Sequence, residues 1–215
     1  KAIVCLSDGQ EILSSATNTN SKEHASYLHV AIHQILKKNS VSVSELNAIG
    51  VVGGPGSYTG IRVGLATAKG LCYALNIPLM MYNTLELMAF SALEKEKNFD
   101  ALYCPMIDAR RMEVFTAVYD SKLVPVFSPA ALELTENSFT SLVEQNMVYF
   151  FGSGALKFKD LIKNASRNAH FSDNHPDAES LALFGWNKFK NKDFVNLISS
   201  KPLYLKEFFT TSKLA

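Results

Sequence analysis

Residues 48–75 read "AIGVVGGPGSYTGIRVGLATAKGLCYAL", and the way this stretch folds governs how the rest of the chain is read. An apolar run over 48–52 meets a cluster of Gly, Pro and Ser, and a long segment of small side chains follows. That order predicts strand, tight loop, helix. Free amides at a helix N-terminus favour anions, so a phosphate cradle is the first reading to weigh. The spelling fits neither standard form. A P-loop requires Lys after its last Gly, whereas Ile61 follows Gly60; a dinucleotide loop counted from Gly54 and Gly56 requires Gly where Thr59 stands. Gly54, Pro55, Gly56, Ser57, Thr59 and Gly60 are therefore read as a structural loop, a tight bend that launches a closely packed helix.

The helix expected over 59–75 points the same way. At about 100° per residue, Gly60, Gly64, Ala68, Leu71 and Leu75 form one ridge, and Val63, Ala66, Gly70 and Ala74 form another well to its side. Only Arg62, Lys69 and Tyr73 make a polar strip. A helix that is apolar nearly all round is buried on more than one side, and each interior Gly costs about 1 kcal/mol against Ala unless close approach repays it. One ridge belongs on the helix's own sheet. The other calls for a partner or for cover by the chain's own third helix, and the pattern leaves both open. The first helix adds Tyr27, Val30 and Ala31 on a flank beside its expected core face of Ala25, Leu28, Ile32, Ile35 and Leu36. The candidate partner surface is thus Tyr27, Val30, Ala31, Arg62, Val63, Ala66, Gly70 and Tyr73.

Composition narrows the function classes. With 215 residues, 47% of them hydrophobic, the chain can bury one sizeable core or two small ones. No apolar run reaches the ~18 residues that a membrane span needs. The start "KAIVCLSDGQ" lacks Met and the layout of a signal peptide, which reads as a trimmed start with residues ahead of Lys1. Cys5, Cys72 and Cys104 stand apart on apolar segments, as buried thiols of a cytoplasmic protein do. A formal net charge of +1 excludes a module that grips nucleic acid unaided by electrostatics.

Along the chain one plan occurs twice. The opening "AIVCLSDGQEILSS" reads as a hairpin about Asp8 and Gly9; "NSKEHASYLHVAIHQILKKN" as a helix, with Asn20 and Glu23 forming a capping box and Lys37 and Lys38 at its C-terminal end. "IPLMMY" is a strand and "TLELMAFSALEKEK" a third helix. Then "ALYCPMIDARRMEVFTAVYD" repeats the hairpin, and "NMVYFFGSGALKFKDLIKN" repeats strand, Gly turn and helix. "DAESLALFGWNKFKN" is a last helix, with the tail "PLYLKEFF" placed to pack back onto the first half. The expectation is an α/β protein of two duplicated domains, 1–98 and 99–215.

"GVVGGPGSYTGIRVGLATAKGLCYALNIPL" resembles the signature of the TsaB family, also called YeaZ; "PMIDARRMEVFTAVYD", "SKEHASYLHVAIHQIL" and "PLYLKEF" resemble other segments of it in the same order, covering most of the chain. The resemblance implies the ASKHA fold, the actin-like and ribonuclease H-like α/β architecture of duplicated halves. It implies a non-catalytic subunit of the cytoplasmic machinery that places a threonylcarbamoyl group on the adenosine next to the tRNA anticodon. The implied partners are the catalytic paralogue TsaD, the ATPase TsaE and a second copy of the chain, with tRNA met only through the complex. Docking through first-domain helices is implied as well.

Chemistry of its own is weighed against this. His29 and His33 have i, i+4 spacing, as two metal ligands on a TsaD-like enzyme do, yet no further ligands follow, and His170 and His175 are expected in a polar loop. A solvated helix face is the plainer reading. There is no H-E-x-x-H and no G-x-S-x-G for a peptidase. For a phosphotransferase, "DARRME" puts Arg110 and Arg111 where glycines would admit phosphate, and Asp108 reads as a turn residue paired to an arginine. "GSGALKF" resembles an adenosine-stacking turn, or is simply a bend into a helix. Lys159, Lys163 and Arg167 share a helical stripe, either solvated or set against an RNA backbone. The expectation is no catalytic, cofactor or metal residue; the alternative is a nucleotide- or metal-dependent ASKHA enzyme, a phosphotransferase or M22-type peptidase.

Overall fold

The computed structural model describes residues 1–19, 24–162 and 167–206, with the backbone alone for 24–26. The expected Asn20 and Glu23 capping box and Lys163 lie outside the described residues. Strands β1 (Ala2–Asp8) and β2 (Glu11–Asn18) form the opening antiparallel hairpin. Gly9 sits at its turn with φ +57°, the left-handed region that Gly enters without a Cβ clash. Then come α1 (His24–Lys38), β3 (Ile49–Gly54), α2 (Tyr58–Leu75), β4 (Leu79–Asn83) and α3 (Thr84–Glu96), with β3 and β4 paired in parallel.

The second half begins again with a hairpin, β5 (Leu102–Asp108) and β6 (Glu113–Tyr119). It continues through β7 (Pro125–Glu133), α4 (Thr140–Gln145), β8 (Val148–Phe151), α5 (Ala155–Leu161), β9 (Ala169–Ser172) and α6 (Ala178–Lys190). Its five strands lie in the order β7-β6-β5-β8-β9, antiparallel through β7, β6 and β5 and parallel through β5, β8 and β9. Strand β7, helix α4 and strand β9 have no counterpart in the sequence reading. Pro125 and Pro129 obscure β7, and its place at the sheet edge is what tolerates them. His170 lies within β9, not in a loop.

The core is divided between the faces of the second sheet. On one face Val148, Phe150, Cys104, Met106 and Val114 pack with Phe158 of α5. On the other, Leu85, Met88, Ala89 and Ala92 of α3 pack with Tyr103, Ala117, Tyr119 and Phe151. Helix α3 thus comes from the first half of the sequence and lies on the sheet of the second. Every residue from 87 to 93 is buried, and at ~1.5–3 kcal/mol for each large apolar side chain this anchorage is strong. In exchange α6 packs on β1 and β2, with Phe184 against Tyr82 and Phe90 and with Trp186 beneath Gly9.

The chain after α6 returns to the first half. Val195 bridges Leu79, the Leu203 amide donates to the Gly53 carbonyl at 2.8 Å, and Lys206 pairs with Glu113 at 2.5 Å. This tail therefore ties β4, the Gly-rich loop and β6 together.

Candidate protein-binding surface

Helix α2 is fixed at both ends by local chemistry. Ser57 is its N-cap and accepts from the Gly60 amide at 3.4 Å, and Asn76 closes it in the left-handed conformation. Gly54 has φ +115°, and a Cβ there would lie 2.6 Å from the Leu203 carbonyl oxygen. Gly54 and Pro55 are buried, Gly60 is half-buried, and Gly56, Ser57 and Thr59 are exposed. A tail carbonyl thus presses onto the loop where a phosphate cradle would need open backbone. The loop is a bend between crowded backbones.

Ile61, Leu65, Ala68 and Cys72 bury the inner face of α2 on the first half, around Leu79. Along one edge, the two cations two turns apart hold the tail. Arg62 donates Nε to the Tyr204 hydroxyl at 2.9 Å with its guanidinium 3.8 Å above the Tyr58 ring, and Lys69 reaches the carbonyls of Ile198 and Ser200 at 3.3 and 3.2 Å. The hydrogen bond that Arg62 donates to Tyr204 raises its pKa further. The polar strip expected from sequence is real, and its two cations serve the protein's own tail.

The outer face remains open. Ala66, Gly70 and Ala74 are exposed, Tyr73 is 82% exposed, Val63 is half-buried, and a Cβ on Gly70 would meet nothing within 4 Å among the described residues. Helix α3 packs chiefly on β5 and α6 and so does not serve as the cover for this face. From α1, Val30 is 53% exposed and Tyr27 half-buried. Ala31 is a correction: at 1% exposure it is a core residue together with Ile35, so it cannot meet a partner. The apolar positions of α1 wrap more than half of its circumference, and periodicity alone set the inward direction about one residue off. Sequence reasoning missed Ile198, 91% exposed on the tail segment strapped to α2, and the Tyr58 and Tyr204 pair that grips Arg62. No local signal links Arg62 to a residue 142 positions away.

Elsewhere the ionisable groups are tied down or isolated. Asp108 is paired with Lys157 at 2.6 Å, not with an arginine, and accepts from the Arg110 amide at 2.7 Å; these contacts hold its carboxyl below the usual range. His29 and His33 are exposed, and the described residues hold no group of three or more His, Cys, Asp and Glu placed to share a metal. Burial raises the Cys5 thiol to about 11 and the Cys104 thiol to about 12, which leaves both unreactive near neutrality. No helix among the described residues is long and apolar enough to cross a membrane.

A hairpin, then parallel strands joined by helices, stated once in each half with the last helices exchanged, defines an ASKHA-like α/β protein. The profile of the family described as "TsaD: tRNA N6-adenosine threonylcarbamoyltransferase" matches residues 11–205. The chain is 30% identical over 192 residues to the tRNA threonylcarbamoyladenosine biosynthesis protein TsaB of Bacillus subtilis, covering 86% of this chain and 80% of that one. It is 26% identical over 201 residues to the protein of the same name in Buchnera aphidicola subsp. Acyrthosiphon pisum, covering 91% and 88%. In fold it superposes on YeaZ from Pseudomonas aeruginosa with a TM-score of 0.77 at 24% identity, covering 94% of this chain and 93% of that one. The chain belongs to the TsaB (YeaZ) family.

Proposed function

We propose that this chain is an accessory subunit in the biosynthesis of threonylcarbamoyladenosine in tRNA, and that it works by docking the outer face of α2 onto a TsaD-like transferase. The observation that carries the docking mode is the open face of Val63, Ala66, Gly70, Tyr73 and Ala74, with Val30 of α1 beside it. Gly70 weakens the helix and nothing among the described residues uses the space it leaves. A helix of the partner packed there would use it, since small residues let two helix axes approach closely. The biosynthetic role follows from the relatives' names.

In this reading the transfer chemistry belongs to the partner. Asp108, the carboxylate best placed at a hairpin turn, is neutralised by Lys157, and Leu203 sits over the Gly-rich loop. We divide the chain into domains at residues 98 and 99, with the exchange of α3 and α6 joining them. A second copy of the chain would use the same α2 face and so compete with the transferase. A TsaE-like ATPase is a further partner, with no surface of this chain assigned to it.

The test is association with the TsaD-like transferase of the same organism, read by co-elution and calorimetry. Gly70→Trp and Ala66→Arg each place a large side chain on the open face. Both variants should melt within a few degrees of the parent and bind at least ~10-fold more weakly, a loss of about 1.4 kcal/mol. Undiminished binding by both would rule out this face.

A further inference from the structure

The turn between β5 and β6 is built from residues that its backbone does not favour. Arg110 and Arg111 both lie in the left-handed region, at φ +69° and +48°. They belong to the four-residue connection 109–112, closed by the Glu113 amide on the Arg110 carbonyl, and a positive φ favours Gly or Asn there because the Cβ of other residues crowds the backbone. The same turn is braced from every side. The Asp108 carboxylate accepts from the Arg110 amide at 2.7 Å, and the Asp108 amide donates to Ser153 Oγ at 3.1 Å. Lys157 Nζ donates to Asp108 and to the carbonyls of Arg111 and Glu113.

The charges around it are unequally placed. Lys157 is neutralised by Asp108 and Lys206 by Glu113. The guanidiniums of Arg110 and Arg111 are exposed, and neither has a hydrogen bond, ion pair or ring contact among the described residues. Two adjacent free cations thus stand on a turn held rigid by paired ones. Their residue type opposes the turn and their side chains add nothing to the fold, so the reason for them lies outside the chain. Guanidinium forks match phosphate oxygens, and a preorganised pair limits the entropy lost on binding.

We propose that the Arg110 and Arg111 turn is a contact for the phosphate backbone of an RNA, engaged when this subunit sits in its tRNA-modifying assembly. The proposal rests on the reading given under Proposed function. It concerns a surface on the second half of the chain, apart from α2. Two contacts on a chain of net charge +1 suit a subsidiary grip within a complex and not binding by the subunit alone.

The experiment uses the full chain co-purified with its TsaD-like transferase and a labelled tRNA transcript, with anisotropy measured across a series of KCl concentrations. The test variant is Arg110→Asn with Arg111→Gly, which removes both charges and suits the turn. It should melt at or above the parent temperature and co-elute with the transferase unchanged. The complex should bind tRNA about 3–10-fold more weakly, with the slope of log affinity against log salt reduced by about 1–2. Parental affinity and slope in an intact complex would overturn the arginine contact alone. Loss of a TsaE-like ATPase from the assembly with tRNA binding intact would overturn it in favour of a protein contact. Failure of the parent chain to co-elute with the transferase would overturn this inference together with the reading on which it rests.

Discussion

The segment β3, Gly-rich loop, α2 and the segment β8, Gly turn, α5 are built on one plan and meet opposite surroundings. In the second, both turn glycines are pressed by the chain itself. A Cβ on Gly152 would lie 2.5 Å from the Met106 carbonyl oxygen, and one on Gly154 would lie 2.6 Å from Val114 Cγ1. Helix α5 is then only seven residues long, and its outer side carries Leu156, Lys159 and Asp160. In the first, Gly54 is pressed in the same manner by Leu203, but α2 runs for 18 residues and shows Ala66, Gly70, Tyr73 and Ala74 outward. Both turns have an internal reason for their glycines. Helix α2 also carries Gly70, whose Cβ position no described residue approaches within 4 Å, and that difference picks out the docking face.

The comparison breaks first at Gly152. Its φ of +94° and the fixed carbonyl of Met106 leave no room for a methyl group. Gly152→Ala combines backbone strain of about 1–3 kcal/mol with overpacking of about 1–3 kcal/mol. A loss near 4 kcal/mol in urea unfolding is expected, and a loss under about 1 kcal/mol would show that the turn relaxes freely. Gly54→Ala meets the same two terms, but the opposing carbonyl belongs to a tail held by Arg62, Lys69 and the Gly53 bond. That segment can shift, so about 2 kcal/mol is expected, accompanied by faster proteolytic cleavage between 195 and 206. Unchanged cleavage would mean that the tail does not depend on the loop.

Gly70 sharpens the comparison in the other direction. No described residue lies within 4 Å of its Cβ position, so Gly70→Ala should stabilise the isolated chain by about 1 kcal/mol, the helix-propensity difference. The same substitution should leave binding to the transferase unchanged or weaker, because a methyl group separates the helices. A destabilised Gly70→Ala chain would mean that something in the molecule already occupies that space.

What was legible in the sequence follows the same division. The loop was readable because failing the two phosphate spellings is a matter of counting, and α2 because Gly and Ala at ridge spacing leave few ways to pack. Ala31 was placed on the wrong side since Tyr27, Leu28, Val30, Ala31, Ile32, Ile35 and Leu36 surround so much of α1 that either of two directions satisfies the pattern. Strand β7 stayed hidden behind Pro125 and Pro129, which argue against a strand until its place at the sheet edge is known. Asp108 was expected to choose one of the arginines beside it. The turn instead sends both side chains outward, and the partner comes from α5, 49 residues on. Such long-range pairings carry no local signal.

The smallest expected effect tests that last pairing. Asp108 has its pKa lowered chiefly by the hydrogen bond from Lys157. A carboxyl depressed on folding contributes stability above its unfolded value near 3.9, and the contribution is lost as the pH falls through the lower folded value. The aspartate side chain is 46% exposed, and solvent screening holds the contribution below about 1 kcal/mol. Asp108→Asn keeps an acceptor for the Arg110 amide and removes only the charge. The variant should be slightly less stable than the parent at pH 7, and the gap should shrink as the pH drops below about 4 and in 1 M salt. A gap that persists unchanged at low pH would mean that the turn is held by shape and not by the ion pair, and the β5 to β6 tip would then resemble the Gly152 turn more closely than its charges suggest.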